Sequence, residues 1–328
     1  MKTAAMACMR NEAMFVLEWI AYHRVIGFDE ILVCTNECND GTDELLDRLS
    51  ALGAVHHIRN DDHGDTAPQP AGVTKVLAHD AVKDCRWLLH IDADEFLNIH
   101  DGNGKLDAWL PRLNDFDAVA IRWRIFGDSG LDSWPEFGLQ LEELTMANDI
   151  AREHTAMQKT MFDPSAFAAG IDHMPKQPLR DVTLCNAEGG RRDPEAMYHP
   201  TLSDHRHVAN RNANKKRHFP WRGASINHYA VRTPDLFVMK NYRGDAMQSR
   251  HNKRYMLNSR WHRAINVNDV EETSIQHHIP AVKALMSEWR TQDRQIAEIE
   301  AEAYEWFETT KANWLTEERL EALTNKAA

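Results

Sequence analysis

The chain has 328 residues, a formal net charge of −12 and 43% apolar residues including ten tryptophans. That length supports a large buried core, and the apolar content excludes a disordered chain. The acidic balance argues against general nucleic-acid binding. The charge is uneven, however: from His205 to Pro234 there are seven Lys/Arg and no Asp or Glu. The run Lys215-Lys216-Arg217 offers a surface for an anionic acceptor or peripheral membrane contact, with water as its plainest partner. Five cysteines without zinc-site spacing read as reduced, buried thiols. No apolar run is long enough to cross a bilayer, and Met1-Lys2-Thr3-Ala4-Ala5-Met6 has no signal-peptide core. The expected location is therefore cytoplasmic.

The first ninety residues alternate between two periodicities. A strand over residues 4–9 ends at Arg10-Asn11-Glu12, where Asn11 suits the N-cap of a helix over 13–26 that stops at Gly27. A second strand (30–35) runs into Asn36-Glu37-Cys38-Asn39-Asp40-Gly41-Thr42, which is dense in turn formers. A helix over 43–52, a strand over 54–58, a polar loop over 60–70 and a helix over 72–83 follow. The chain then reaches Trp87-Leu88-Leu89-His90-Ile91, an apolar run of the kind buried on both faces of a sheet. Four strands separated by three helices imply a parallel sheet with right-handed crossovers, half of a nucleotide-binding α/β fold. The loops after strands one, two and four then share one rim.

Three carboxylates close the fourth strand in Asp92-Ala93-Asp94-Glu95. Ligands bind beyond the carboxyl ends of such strands. On an extended backbone Asp92 and Asp94 point together and Glu95 points away. Two carboxylates on one face call for a cation or a shared proton, and Mg²⁺ or Mn²⁺ is the natural remedy. A solvated acidic turn is the plainer reading of an isolated Asp-x-Asp, but the buried run before it reverses that preference. No Gly-x-Gly-x-x-Gly or phosphate-loop pattern follows the first strand, which weakens dinucleotide and P-loop readings.

Beyond the acids, a short helix over 106–113, a strand over 118–125, the loop Phe126-Gly127-Asp128-Ser129-Gly130 and a strand over 155–162 are expected. Residues 186–220 are polar with little pattern. From Thr233 the chain reads as helices over 234–242, 250–261 and two long stretches between 280 and 328. There Trp289, Ile296, Ile299, Tyr304 and Trp306 are set to pack the last pair together.

These pieces, taken in order, resemble the family 2-like glycosyltransferases, in the branch related to glycosyltransferase family 92. They are Cys8-Met9-Arg10-Asn11-Glu12, Glu18-Trp19-Ile20-Ala21-Tyr22-His23, Gly27-Phe28-Asp29, Asn39-Asp40-Gly41-Thr42 and Asp92-Ala93-Asp94-Glu95-Phe96. Phe126-Gly127-x-Ser129-Gly130, Asn227-His228-Tyr229, Lys240 and Arg243-Gly244 extend the resemblance to about residue 244. Glu37-Cys38 departs from it. The resemblance implies a GT-A fold, a Rossmann-like, mainly parallel mixed sheet flanked by helices. The division expected is a catalytic domain over 1–232 with a helical extension over 233–328.

It also implies a nucleotide-sugar donor, a uridine diphosphate sugar favoured, a saccharide, glycolipid or protein acceptor, no nucleic acid, and Mn²⁺ or Mg²⁺. By resemblance Asp94 is the direct metal ligand, Asp92 contacts metal, ribose or sugar, and His228 is the late third ligand. A buried, hydrogen-bonded core histidine is the plainer role for His228, with His173 its rival as ligand. Asn11, Glu12, Asn36 and Asp40 are candidates for the nucleoside, although cap and turn roles suit them equally. Lys75 is a candidate for the diphosphate, where a solvated helix face is the commoner reading. Lys240 and Arg243 face the same choice between an anion and solvent. An inverting transfer needs a carboxylate base within reach of the acceptor hydroxyl. Asp128 is the first candidate, with Asp172 and Glu153 behind it. Two other readings compete: a nucleotidyltransferase on the same half-fold, and a catalytically silent carbohydrate-binding protein.

Overall fold

In the computed structural model, residues 1–150, 157–193, 221–244 and 255–324 are described. Among them the first half alternates as expected: β1 (Thr3–Met9), α1 (Ala13–Val25), β2 (Glu30–Thr35), α2 (Thr42–Ala51), β3 (His56–Arg59), α3 (Pro68–Leu77), α4 (Asp80–Lys83) and β4 (Trp87–His90). Next come β5 (Glu95–Ile99), α5 (Leu106–Trp109), β6 (Ala118–Ile125), α6 (Gln140–Glu143), β7 (Met146–Ala147) and β8 (Gln158–Phe162). β9 (Phe167–Gly170), β10 (Pro175–Pro178), β11 (Leu184–Asn186), β12 (Arg191–Arg192) and β13 (Ala224–His228) complete the sheets that bear on the site.

The main sheet runs β12-β11-β6-β8-β4-β1-β2-β3, with β13 pairing both β5 and β6. β1 is parallel to β2 and β4, and β2 to β3. β8 lies antiparallel between β4 and β6. This is a mainly parallel, mixed sheet flanked by helices, the architecture implied by a GT-A fold. β4 is buried along its whole length because it has neighbours on both edges and cover on both faces. One face meets α1 and the other meets α3. Two apolar clusters result, one around Trp19, Ile20, Leu89 and Phe96, the other around Met6, Leu32, Val73 and Leu88. Burying each such side chain contributes roughly 1.5–3 kcal/mol.

Several boundaries differ from expectation for identifiable reasons. Asn11 is not the N-cap of α1: it sits at φ +52°, in a mutual amide pair with Asn39. The cap comes from another loop, where Asp40 Oδ2 accepts from the Ala13 N–H at 3.0 Å. β3 lies later than expected, at His56–Arg59. α3 starts at Pro68, inside the expected loop, because prolines in a first turn forgo only N–H groups that no carbonyl awaits. It ends at Leu77, and His79 caps a separate short helix. Of the expected 250–261 helix, residues 255–259 are not helical. Asn258 has φ +56°, and Ser259 caps a helix beginning at Arg260.

The C-terminal helices are Pro234–Arg243, Arg260–Ile265, Ile279–Gln292, Arg294–Trp314 and Glu317–Ala322. Asp293 divides the long pair by capping the second. Val282, Met286, Trp289, Ile296 and Phe307 join the same core cluster as α1 and β4. Trp289 and Ile296 are buried, and Ile299 and Trp306 pack partly buried against the cluster. Tyr304 instead meets Phe137, with ring centroids 6.1 Å apart. All five cysteines are free thiols, with Cys34, Cys85 and Cys185 buried. Among the described residues no helix is long and apolar enough to cross a membrane.

Candidate active site

The acids after β4 do not continue as a strand. The Glu95 N–H donates to the Asp92 carbonyl at 3.0 Å, closing a tight turn before β5. The Trp19 indole N–H, from α1, donates to the carbonyls of Asp92 and Glu95 at 3.1 and 3.0 Å. The Tyr229 N–H donates to the Asp94 carbonyl at 2.8 Å, and Arg232 to that of Ala93 at 3.1 Å. Four donors thus fix the turn's backbone: one from the turn itself, one from α1 and two from the segment after β13.

Within it the acids separate. Asp92 meets Lys159 of β8, whose ammonium donates to Oδ2 at 3.0 Å. Glu95 was expected to point away, but in a closed turn its carboxylate folds back. Its Oε2 accepts from the Asp92 N–H at 2.8 Å and lies 3.2 Å from Lys159. Asp94 faces the other way. Its Oδ2 accepts from the Lys240 ammonium at 2.7 Å, and its Oδ1 lies 3.7 Å from His228 Nε2. The cation that paired carboxylates require is therefore supplied to each acid by a different buried lysine.

The electrostatics follow. Burial would raise the Asp94 carboxyl, but Lys240, His228 and Arg232 outweigh it and hold it well below the usual carboxylate range. For Asp92, burial is likewise overcome by Lys159 and His90, so it too is lowered. Burial pushes Glu95 up to about 8 despite Lys159. Lys159 is fully inaccessible. Burial alone would lower its ammonium, yet Asp92, Glu95 and Asp172 together raise it. Burial pulls His228 down to about 4 against the pull of Asp94. Its neutral ring keeps a lone pair, and Nδ1 is buried without a hydrogen-bond partner.

The remaining candidates fall into two groups. Asp172 joins the turn: its carbonyl accepts from Lys159 at 3.0 Å, and its carboxylate, one third exposed, lies 3.4 Å from His173 Nε2. His173 itself is buried, bonding the Gln158 carbonyl through Nδ1 at 2.9 Å. Asp128 does not join. Its Oδ1 accepts from the Gly130 N–H and Asn268, and its Oδ2 from Asn266 at 2.6 Å. That carboxylate staples the loop after β6 to residues 266–268. Glu153 lies outside the described residues.

Among the nucleoside candidates, Asp40 uses Oδ1 on Thr42 and Oδ2 on the Ala13 N–H. Glu12 is locked between Arg232, at 2.9 Å, and Arg243. Both are structural pins at the rim. Asn36 is buried just past the tip of β2. Lys75 donates to the Asp62 carbonyl at 3.1 Å, so it braces the loop after β3. Arg243, Lys240, Glu12 and Asp40 line a cleft with Phe15, Trp306 and other apolar residues, beside Asp94.

Lys159 and Arg232 were not foreseen. A lysine inside Gln158-Lys159-Thr160-Met161-Phe162, a strand buried throughout, was the available signal. Arg232 carried none beyond its place after Asn227-His228-Tyr229.

The sequence model of glycosyltransferase family 92 matches residues 3–262. A glycosyltransferase family 92 protein of Ricinus communis is 24% identical over 243 residues, 71% of this chain and 36% of its own length. One from Oryza sativa subsp. japonica is 30% identical over 140 residues, 40% of this chain and 22% of its own. The chain thus spans about a third or less of the curated relatives it matches. Among solved structures, S. aureus TarS 1–349 in complex with UDP has a TM-score of 0.33 at 12% identity, covering 51% of this chain and 48% of that one. Glucosyl-3-phosphoglycerate synthase from Mycobacterium tuberculosis, with Mn²⁺, UDP-glucose and phosphoglyceric acid, scores 0.30 at 15% identity, covering 52% and 60%.

Proposed function

The chain belongs to glycosyltransferase family 92, and we propose that it transfers a sugar from a nucleotide-sugar donor to a hydroxyl of a saccharide, lipid or protein acceptor, with a divalent cation at Asp94 and His228. The observation that carries this reading is the pairing of Asp94 Oδ1 with His228 Nε2 at 3.7 Å. That separation is too long for a hydrogen bond, yet short enough for two ligands of one ion.

The donor chemistry fits in part. Lys240 occupies Oδ2, no hydrogen bond reaches Oδ1 among the described residues, and the imidazole is neutral. Carboxylate with imidazole suits Mn²⁺ better than Mg²⁺. Among the described residues, no three or more His, Cys, Asp or Glu side chains form a ready metal cage. Two protein ligands leave the other positions for diphosphate oxygens and water. When bound, the cation offsets negative charge on the departing nucleoside diphosphate.

The chain's own residues do the rest. Lys240 fixes the Asp94 carboxylate, and Trp19, Tyr229 and Arg232 fix the backbone beneath it, so the site is organised before the donor arrives. Asp92, held by Lys159 and one third exposed, is placed to accept hydrogen bonds from donor hydroxyls. Arg243 stands at the cleft beside Asp94 with cationic N–H groups for an anionic ligand. For an inverting transfer we assign the base to Asp172 rather than Asp128. The Asp172 carboxylate is partly open beside the acidic turn, whereas the Asp128 lone pairs are taken up by a loop N–H and two amides.

A thermal-shift panel of nucleotide sugars, uridine diphosphate sugars first, with and without Mn²⁺, tests this reading. A ligand at a hundred times its Kd stabilises the native state by about 2.7 kcal/mol. A shift that needs both donor and Mn²⁺ is expected. No shift with any donor, in either condition, would sink the reading.

A further inference from the structure

We infer that Lys159 is a positioning residue whose buried ammonium ties the donor-binding turn to the loop carrying the acceptor-side base, so that both are set by one cation. The inference rests on the glycosyltransferase reading above and names the part that aligns its two halves.

Lys159 is the second residue of β8, a strand paired with both β4 and β6, and its register partner is Ile121 of β6. Its side chain is fully buried. An ammonium is rarely buried completely unless every N–H finds a partner. Here the three directions are accounted for: Asp92 Oδ2 at 3.0 Å, the Asp172 carbonyl at 3.0 Å and Glu95 Oε2 at 3.2 Å. Asp92 lies in the turn between β4 and β5, and Glu95 is the first residue of β5. Asp172 belongs to the connection between β9 and β10. These segments are about eighty residues apart in sequence (His90 Nδ1 and the Ile171 carbonyl, 3.4 Å apart, bring them together a second time).

Neutralising buried charge alone would not require this geometry. Any buried acceptor would satisfy the third N–H, yet here it is the backbone carbonyl of Asp172 itself. That carbonyl bond fixes where the Asp172 side chain leaves the chain. A misplacement of about 1 Å in such a group costs on the order of a hundredfold in rate.

The test is the double variant Glu95→Gln/Lys159→Met, with Asp92 and Asp172 intact. It removes the Lys159 ammonium together with the carboxyl group that it meets at 3.2 Å, and the glutamine oxygen still accepts from the Asp92 N–H. A merely charge-balancing lysine predicts normal turnover from this variant. Positioning predicts that it folds with a melting temperature close to wild type, loses about a hundredfold in kcat, and raises donor KM severalfold. Turnover within threefold of wild type would overturn the inference. If the double variant does not fold, Lys159→Arg and Lys159→Gln carry the test. The variant that keeps the cation should turn over at least tenfold faster, and equal rates would overturn the proposal. Wild-type turnover is the reference throughout. A wild-type protein inactive with every donor refutes the glycosyltransferase reading, whereas an active wild type with an active double variant refutes only the role of Lys159.

Discussion

The loop after β4 and the loop after β6 look alike in sequence: each is a strand at the sheet followed by a short acidic turn. In the folded chain they part company over what meets the carboxylates. Asp128 is met by a backbone N–H and the amides of Asn266 and Asn268, which satisfy both oxygens. Asp92 and Asp94 are met by buried ammonium groups, and Asp94 keeps one oxygen facing a neutral imidazole. Neutral partners on both oxygens make a staple. Charged partners, with one oxygen left facing an imidazole, make the candidate site. The type of partner, which no single stretch of sequence reveals, separates the two.

The comparison is open to attack, starting with its largest consequence. Asp94→Asn keeps an acceptor for Lys240 but removes the charge that binds a cation, and should lower kcat about a thousandfold while the protein still folds. Normal turnover would erase the distinction between the loops. His228→Ala should weaken Mn²⁺ binding on the order of a hundredfold, read by calorimetry with donor present. An unchanged Mn²⁺ affinity would leave Asp94 without its partner ligand. Asp128→Asn, by contrast, should cost about 1 kcal/mol of stability through one weakened staple, with turnover within threefold of wild type. If that variant is inactive but well folded, the loop after β6 carries chemistry after all.

A smaller effect concerns pH. Burial holds His23 down to about 3, and His90 and His228 down to about 4. In the unfolded chain these rings take up protons near pH 6.5, whereas in the folded chain they resist until the lower values. Each folded pKa is depressed, so the unfolded state binds more protons as pH falls from 6.5 towards 4. Stability contributed by the neutral rings is therefore intact above pH 6.5 and is lost through that window. Glu18 and Glu95, raised by burial to about 7 and 8, work the opposite way over the same window, and the three rings outweigh them, so the melting temperature should fall modestly between pH 7 and pH 5. A flat profile would show that these rings are not held neutral.

Much of this architecture was legible because it is local. Alternating apolar runs announced β1 to β4, and an acidic tail on a buried strand marked the candidate site. What escaped was made by contacts across the sheet. Asp40 caps α1 from the loop after β2, so Asn11, the obvious local cap, was free to take up φ +52° against Asn39. Glu95 turns back because the chain closes a turn at Asp92, which extended-strand periodicity does not foresee. Lys159 gives only the weak signal of a lysine within an expected strand until β8 is seen wedged between β4 and β6. Its partners lie in two segments far from it in sequence, and no spacing rule connects them.

The central claim is that Asp94 and His228 share one divalent cation at the end of the acidic turn. Anomalous diffraction at the manganese edge, on crystals grown with Mn²⁺ and a nucleoside diphosphate, tests it most directly. The account predicts one strong peak within bonding distance of both Asp94 Oδ1 and His228 Nε2, with diphosphate oxygens completing the shell. A nucleotide bound with no manganese peak between those two atoms would contradict it.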